Sequence, residues 1–327
     1  MKVLFLTGHR KSGTTLLSNL LDNVEGLCVY PTDLTMLYAY YPYFNNNKFS
    51  FSFKSARLKK IIKNSLKTNL SYSNTIEILN IEEFLNNFMK KVNKNNINKI
   101  DKLIKILIST YLKFFFKIFK KGNIKYFVLK ETSCGYLSKQ LNQWFKNIKI
   151  IQIIRDPRDN FASLKAGLNK YYNKFGEDEL TLLSSTMNRL QLDFQYIKVN
   201  KKFFGNKRYK VIKYESLVTK QKKTTTELCR FLGIKYDKQI LKPTILGKIS
   251  EGNNFDGIKF KTISDQNLKK WRKRITPAEA SVLEFFLKDI MIQNGYKISS
   301  QKHAFESIRD YYIKINQRFF FKDNFKT

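Results

Sequence analysis

The stretch Val3-Leu4-Phe5-Leu6-Thr7-Gly8-His9-Arg10-Lys11-Ser12-Gly13-Thr14-Thr15-Leu16-Leu17-Ser18-Asn19-Leu20-Leu21 decides the fold. Four apolar residues in a row read as a short buried strand. Gly8 to Gly13 read as a tight loop, and Leu16, Leu17, Leu20 and Leu21 form the apolar stripe of a helix. A loop that begins and ends on glycine and opens a helix presents backbone N–H groups, a helix N-terminus and a lysine to one point. That is the chemistry of a phosphate-like anion site.

The loop departs from the phosphate loop G-x-x-x-x-G-K-[ST] of nucleotide hydrolases at one position. Gly8 and Gly13 keep its spacing, but Thr14 stands where its lysine belongs, and the loop's own lysine is Lys11.

Working outward, 327 residues fit one large α/β domain or a domain with an insertion. The 61 Lys and Arg against 26 Asp and Glu give a net charge of +35, a field that attracts anions. Only 11 of the 61 are Arg, and Asn, Ile and Phe are abundant. The charge is therefore as consistent with compositional drift as with a charged ligand, and it names no partner. Cys28, Cys134 and Cys229 show neither paired nor metal-ligand spacing, which points to a reducing, cytoplasmic setting. The first apolar run ends at Leu6, too short for a signal peptide, and no run of about 18 apolar residues is present to span a membrane.

Further strands are expected at 27–30, 126–129, 148–154 and 209–214. The first of these ends in a Pro31-Thr32-Asp33 turn with a carboxylate at its tip. The uninterrupted Ile run at 148–154 marks a central parallel strand buried on both faces. The fold class is α/β: three layers around a mostly parallel sheet. Residues 34–122, rich in Lys, Asn, Phe and Tyr, read as a helical insertion that covers the site on the acceptor side. Their apolar stripe at 103–119 either packs on the domain or lies on a membrane surface. Gly233 stops one helix, and Thr276-Pro277-Ala278-Glu279 caps another that runs to Gly295. Residues 300–327 read as a peripheral helix or tail on a single domain spanning 1–327.

A second anion-binding element follows the Ile strand: Arg155, with Ser163 eight residues on. Taken with Lys11-Ser12-Gly13-Thr14-Thr15, it resembles the two cofactor-binding segments of sulfotransferases that use 3′-phosphoadenosine 5′-phosphosulfate (PAPS). Val211 to Leu217, with Tyr214-Glu215, is similar to the family's strand ending in Y-E-x-L. Gly252-Asn253 through Trp271-Arg272-Lys273-Arg274 is similar to its C-terminal cofactor-closing segment. The resemblance covers 1–35 and 125–297.

The resemblance implies PAPS as cofactor, with adenosine 3′,5′-bisphosphate as product and inhibitor, and requires no metal. It assigns Arg10, Lys11, Ser12, Gly13, Thr14 and Thr15 to the 5′-phosphosulfate, and Arg155 and Ser163 to the 3′-phosphate. Tyr214, Gly252, Asn253, Trp271 and Arg272 complete the set, with a packing role as the alternative for Trp271. Lys11 is the catalytic cation, and Lys130 matches the family's lysine near the scissile bond. Some members place a catalytic His after a K-T-H segment. Here Lys130-Glu131-Thr132 has none; other members place a Glu at the turn after the second strand, and Asp33, near that position, is by this resemblance the first candidate for the base, with an N-cap role as the alternative, and Glu131 the second. The acceptor is a hydroxyl or amine, with a carbohydrate or glycolipid favoured and an anionic acceptor compatible with the charge. The competing readings are a small-molecule kinase, which should carry Lys at position 14, and a basic nucleic-acid or membrane-surface binding protein.

Overall fold

The computed structural model describes residues 1–73, 75–119, 123–252, 254–299 and 304–324. Asn253, assigned above to the cofactor, lies outside the described residues. Five strands form the sheet: β1 (Lys2–Thr7), β2 (Leu27–Asp33), β3 (Tyr126–Lys130), β4 (Lys149–Ile154) and β5 (Tyr209–Lys213). Their order is β2-β3-β1-β4-β5, and every neighbouring pair is parallel. A two-stranded hairpin, β6 (Thr244–Ile245) and β7 (Lys248–Ile249), stands apart.

The helices are α1 (Thr14–Leu21), α2 (Met36–Ala39), α3 (Phe51–Leu70), α4 (Ile81–Met89), α5 (Ile100–Phe119), α6 (Ser138–Trp144), α7 (Pro157–Lys165) and α8 (Glu179–Arg208). They continue with α9 (Tyr214–Thr219), α10 (Gln221–Leu232), α11 (Trp271–Arg274), α12 (Pro277–Gln293) and α13 (Ala304–Asn324).

Side chains alternate across the sheet with the period of two that strands impose. Leu4, Leu6, Val128, Ile151 and Ile153 face one core with Leu17 and Leu20 of α1, Leu217 of α9 and Leu228 of α10. Phe5, Phe127, Leu129 and Ile150 face the other, with α3, α5, α7, α8 and α12. Both faces are therefore dry, as the Ile run requires. Burial of one such side chain contributes roughly 1.5–3 kcal/mol.

α3 and α5 pack on β2 and supply part of one helical layer. The stripe Leu103, Ile104, Leu107, Ile108, Tyr111 and Phe115 of α5 is buried in that layer. Among the described residues, no helix is long and apolar enough to cross a membrane. α13 lies along α12 and buries Ile308.

One boundary differs from expectation. β2 does not turn at Pro31 but continues to Asp33, which pairs in register with Lys130. Proline lacks the N–H that a central strand needs, but β2 is the edge of the sheet, and its ladder is irregular between Val29 and Asp33.

The topology fixes where a ligand can sit. From β1 the chain moves to the β3 and β2 side, and from β4 it moves to β5. The loops after β1 and β4 thus diverge at the carboxyl ends of adjacent strands, where open α/β sheets form their crevice.

Candidate active site

The first loop is shaped by two glycines that no other residue could replace without movement. Gly8 has φ 152°, and a Cβ there would lie 2.2 Å from the Ile153 carbonyl oxygen. Gly13 has φ 103°, and its Cβ would lie 2.5 Å from the Tyr214 ring. The Ser12 amide donates to the His9 carbonyl at 3.0 Å, and the Ser133 amide donates to that of Gly8 at 2.9 Å. His9 is buried beneath the loop, and burial with Arg10 beside it pushes its pKa down to about 3. Its imidazole is neutral and structural: the Asn160 amide reaches both the His9 Nδ1 and the Arg10 carbonyl. Lys11 sits at the loop's crest with φ 63°.

The loop opens into a cavity of about 1130 Å³. Arg10, Lys11, Gly13, Thr14 and Thr15 line it together with Arg155, Ser163, Tyr214, Gly252 and Asp33. The two elements far apart in sequence therefore meet. Ser12 is buried behind the loop, and neither Lys130 nor Glu131 lines the cavity.

Two cations dominate the electrostatics. Lys11 Nζ lies 4.0 Å from the centre of the Phe255 ring. Burial, then Arg155 and Lys130, lowers its pKa from 10.5 to about 8. The Arg155 guanidinium donates to the Lys11 carbonyl at 3.0 Å and to the Asn267 carbonyl at 2.6 Å, and stacks 4.5 Å over the Tyr214 ring. Its Nε is buried without a hydrogen-bond partner among the described residues. A buried charged donor left unmatched is costly unless an anion meets it. The residues present thus fit a bisphosphate nucleotide.

Lys130, only 2% exposed, reaches Asp33 at 3.2 Å and the Thr15 hydroxyl at 3.0 Å. The sheet register brings Asp33 and Lys130 side by side at the ends of β2 and β3. Glu131 points the opposite way. It accepts from the backbone amides of Thr35 and Thr132, and burial, with Asp33 nearby, holds its carboxyl well above the usual range. It clamps the turn after β2, where Thr35 has φ 52°.

Trp271 and Arg272 do not line the cavity. Trp271 packs under the Arg158 guanidinium at 4.3 Å, and its amide donates to Asp159 at 3.0 Å. Arg158 is no surface residue: it donates to Asp156 at 2.7 Å and Glu284 at 2.6 Å inside the protein. Phe255, Asn267 and Arg274, outside the expected set, line the cavity from the segment before and within α11. Asp193 of α8, also outside that set, lines it too, and burial pushes its carboxyl up to about 7. A lone Asp in a long helix and a loop without periodicity give no sequence signal.

Residues 4–238 match the family model described as the sulfotransferase family. The chain belongs to that family. Its enzymes are PAPS-dependent sulfotransferases, and this chain is one of them by family. Two solved structures are similar across most of its length. One is the sulfotransferase domain from the curacin biosynthetic pathway, at 18% identity and TM-score 0.60, covering 91% of this chain and 99% of that one. The other is the sulfotransferase domain of the Synechococcus PCC 7002 olefin synthase, at 20% identity and TM-score 0.63, covering 91% and 96%. At these identities the likeness speaks for the fold. No curated protein sequence matches this sulfotransferase.

Proposed function

We propose that this sulfotransferase uses PAPS in the cavity described above and sulfates a hydroxyl on a carbohydrate acceptor. The observation that carries the reading is the convergence of Lys11, Arg155 and Asp33 on one cavity, with Lys130 paired to Asp33 and bonded to Thr15 of the loop. The Lys11 side would hold the 5′-phosphosulfate with the loop amides and the Thr14 and Thr15 hydroxyls. Arg155 and Ser163 would hold the 3′-phosphate, with Tyr214 and Gly252 beside them. Bound there, PAPS supplies the sulfuryl group, and adenosine 3′,5′-bisphosphate leaves with the bond's electron pair.

The chain's own residues do the rest. Lys11 is a partly desolvated cation that stabilises negative charge more strongly than a solvated one does. Asp33 would accept the acceptor's proton, a role worth roughly 10²–10⁴ in rate. Lys130 fixes its carboxylate and ties it to Thr15. Glu131, the second candidate, has its oxygens engaged by backbone amides. α2 and α3 supply the acceptor wall through Tyr38, Asn64 and Thr68, in keeping with an acceptor-side role for 34–122. The three cysteines are free and buried, in keeping with a cytoplasmic setting.

The test is calorimetric titration with adenosine 3′,5′-bisphosphate and with ATP plus magnesium. Tight binding of the bisphosphate alone, weakened by Lys11→Ala and by Arg155→Ala, supports the assignment. Binding of ATP only with magnesium would favour a kinase, and unchanged affinity in both variants would overturn the site.

A further inference from the structure

α3 turns one flank to the cavity. Arg57, Lys60, Ile61, Asn64, Ser65 and Thr68 recur at spacings of three and four, which aligns them along the helix. All six line the cavity. The core-facing flank carries Leu58, Ile62 and Leu66.

The acids that face this cavity are matched by cations. Asp33 has Lys130, Glu177 has Arg10, and Asp256 has Lys270 and Arg274. Asp193 lies in the field of Arg189. Arg57 and Lys60 form no ion pair among the described residues.

The chain's excess of positive charge does not by itself explain that. On the same helix, Lys63 pairs with Glu82, Lys54 bonds the Asn98 side chain at 2.6 Å, and Lys59 bonds that of Asn86 at 3.3 Å. Lys67 is exposed to solvent. Arg57 is different in kind. Its guanidinium lies 5.0 Å over the Phe44 ring, and its Nε is buried without a hydrogen-bond partner among the described residues. An aromatic ring orients the planar fork, and no acid uses it up.

The helix also sets a distance. Ser65 touches the reacting end: the Thr32 hydroxyl donates to its carbonyl at 3.1 Å, and its own hydroxyl lies 3.4 Å from the Asp33 carbonyl. At 1.5 Å per residue, Lys60 and Arg57 stand about 7.5 Å and 12 Å further along the axis.

We propose that the acceptor carries an oxyanion on the order of 10 Å from the hydroxyl that reacts, and that Arg57 and Lys60 bind it. This rests on Asp33 marking the acceptor end, as proposed above. A carboxylate, such as a uronate, and a sulfate ester share the chemistry, since both offer oxygens to a bidentate guanidinium. The site therefore selects an acidic acceptor over its neutral counterpart.

The test uses three rigid phenols of one length: 4′-hydroxybiphenyl-4-carboxylate, the 4-sulfonate, and the neutral 4-carboxamide. Dissociation constants are measured on the full chain, with and without adenosine 3′,5′-bisphosphate. An anionic probe should bind at least about tenfold tighter than the carboxamide, the range of a charge-assisted pair. Which anion is preferred distinguishes the carboxylate source from the sulfate source, and either supports the proposal. Arg57→Gln with Lys60→Gln should reduce the ratio to near one and leave bisphosphate affinity unchanged. Lys60→Gln alone, at the exposed rim, should lower it about threefold, and Lys67→Ala should not move it. Equal affinity for all three probes, no detectable binding of either anion, or a ratio that survives both Gln substitutions would overturn the proposal. Bisphosphate binding that persists in such a case leaves the cofactor reading intact, whereas its absence sinks that reading separately.

Discussion

Replacing Lys11 by Met should make the ligand-free protein more stable and the nucleotide site weaker at once. The lysine is held at about pKa 8 in place of 10.5. At 1.36 kcal/mol per tenfold, keeping it charged at neutral pH costs roughly 3 kcal/mol. Between about pH 8 and 10.5 the folded chain releases this proton before the unfolded chain does, so stability rises with pH across that window. Methionine removes the charge and keeps the contact with the Phe255 ring. The expected gain is about 1–3 kcal/mol at pH 7, or roughly 2–6 °C in melting midpoint for a chain this long, and it should shrink toward pH 10. The affinity should move the other way. A cation about 4 Å from a phosphate contributes up to about 4 kcal/mol at an effective dielectric of 20. A net loss of about 2–3 kcal/mol would weaken adenosine 3′,5′-bisphosphate binding roughly 30- to 150-fold. Scanning calorimetry and titration on the same two proteins read both effects. A lower midpoint for the ligand-free variant, or an unchanged affinity, would refute the account of Lys11 as a strained, anion-seeking cation.

Four further outcomes follow from the same geometry. Gly13→Ala, at φ 103° with its Cβ 2.5 Å from Tyr214, should lose about 1–3 kcal/mol in urea denaturation and bind the bisphosphate at least about tenfold more weakly; a wild-type curve would show that the loop yields easily. Asp33→Asn should lower kcat by roughly 10²–10⁴ and, by leaving the buried Lys130 without its counter-charge, also cost stability. Glu131→Gln should cost about 1–2 kcal/mol of stability, by turning a donor toward a backbone amide, with turnover near wild type; the reverse pattern in turnover would make Glu131 the base. Bisphosphate affinity should fall as pH rises through about 8, where Lys11 loses its charge, and a flat profile from pH 7 to 9 would exclude Lys11 as the titrating contact.

Local signals were legible in the chain because local physics decides them. The glycine spacing and Leu stripe defined β1, its loop and α1. Thr276, Pro277 and Glu279 formed the capping box of α12, and Gly233 ended α10 at φ 65°. What escaped was set by contacts distant in sequence. Pro31 reads as a strand end, yet an edge strand tolerates it, and that extension places Asp33 against Lys130. The segment after Gly252 has no period to read. It is held by Lys170 donating to the Phe255 carbonyl at 2.6 Å and by Asp159 accepting the amides of Lys269 and Trp271. Gly167 has room for no Cβ because the Phe255 ring occupies that space. Of the residues expected from that segment, Gly252 lines the cavity and Trp271 and Arg272 do not, while Arg274 lines it without having been expected to.

Arg155 ties these two kinds of structure together. One of its amino groups holds the carbonyl of Lys11 in the loop that the sequence announces, and the other holds Asn267 in the segment that it hides. A planar fork can keep both bonds and still aim Nε at an anion, whereas a lysine offers one ammonium point for three directions. Arg155→Lys keeps the charge and removes the fork. If the fork is what matters, bisphosphate affinity should fall by about 1.5–3 kcal/mol, the worth of a hydrogen bond to a charged group. Amides of residues 264–270 should also exchange faster in the ligand-free protein. If charge alone matters, affinity stays within a few-fold of wild type. If affinity falls but exchange does not change, the bond to Asn267 does not hold the segment, and the closing of that wall must be assigned to Asp159 and the Lys170–Phe255 contact instead.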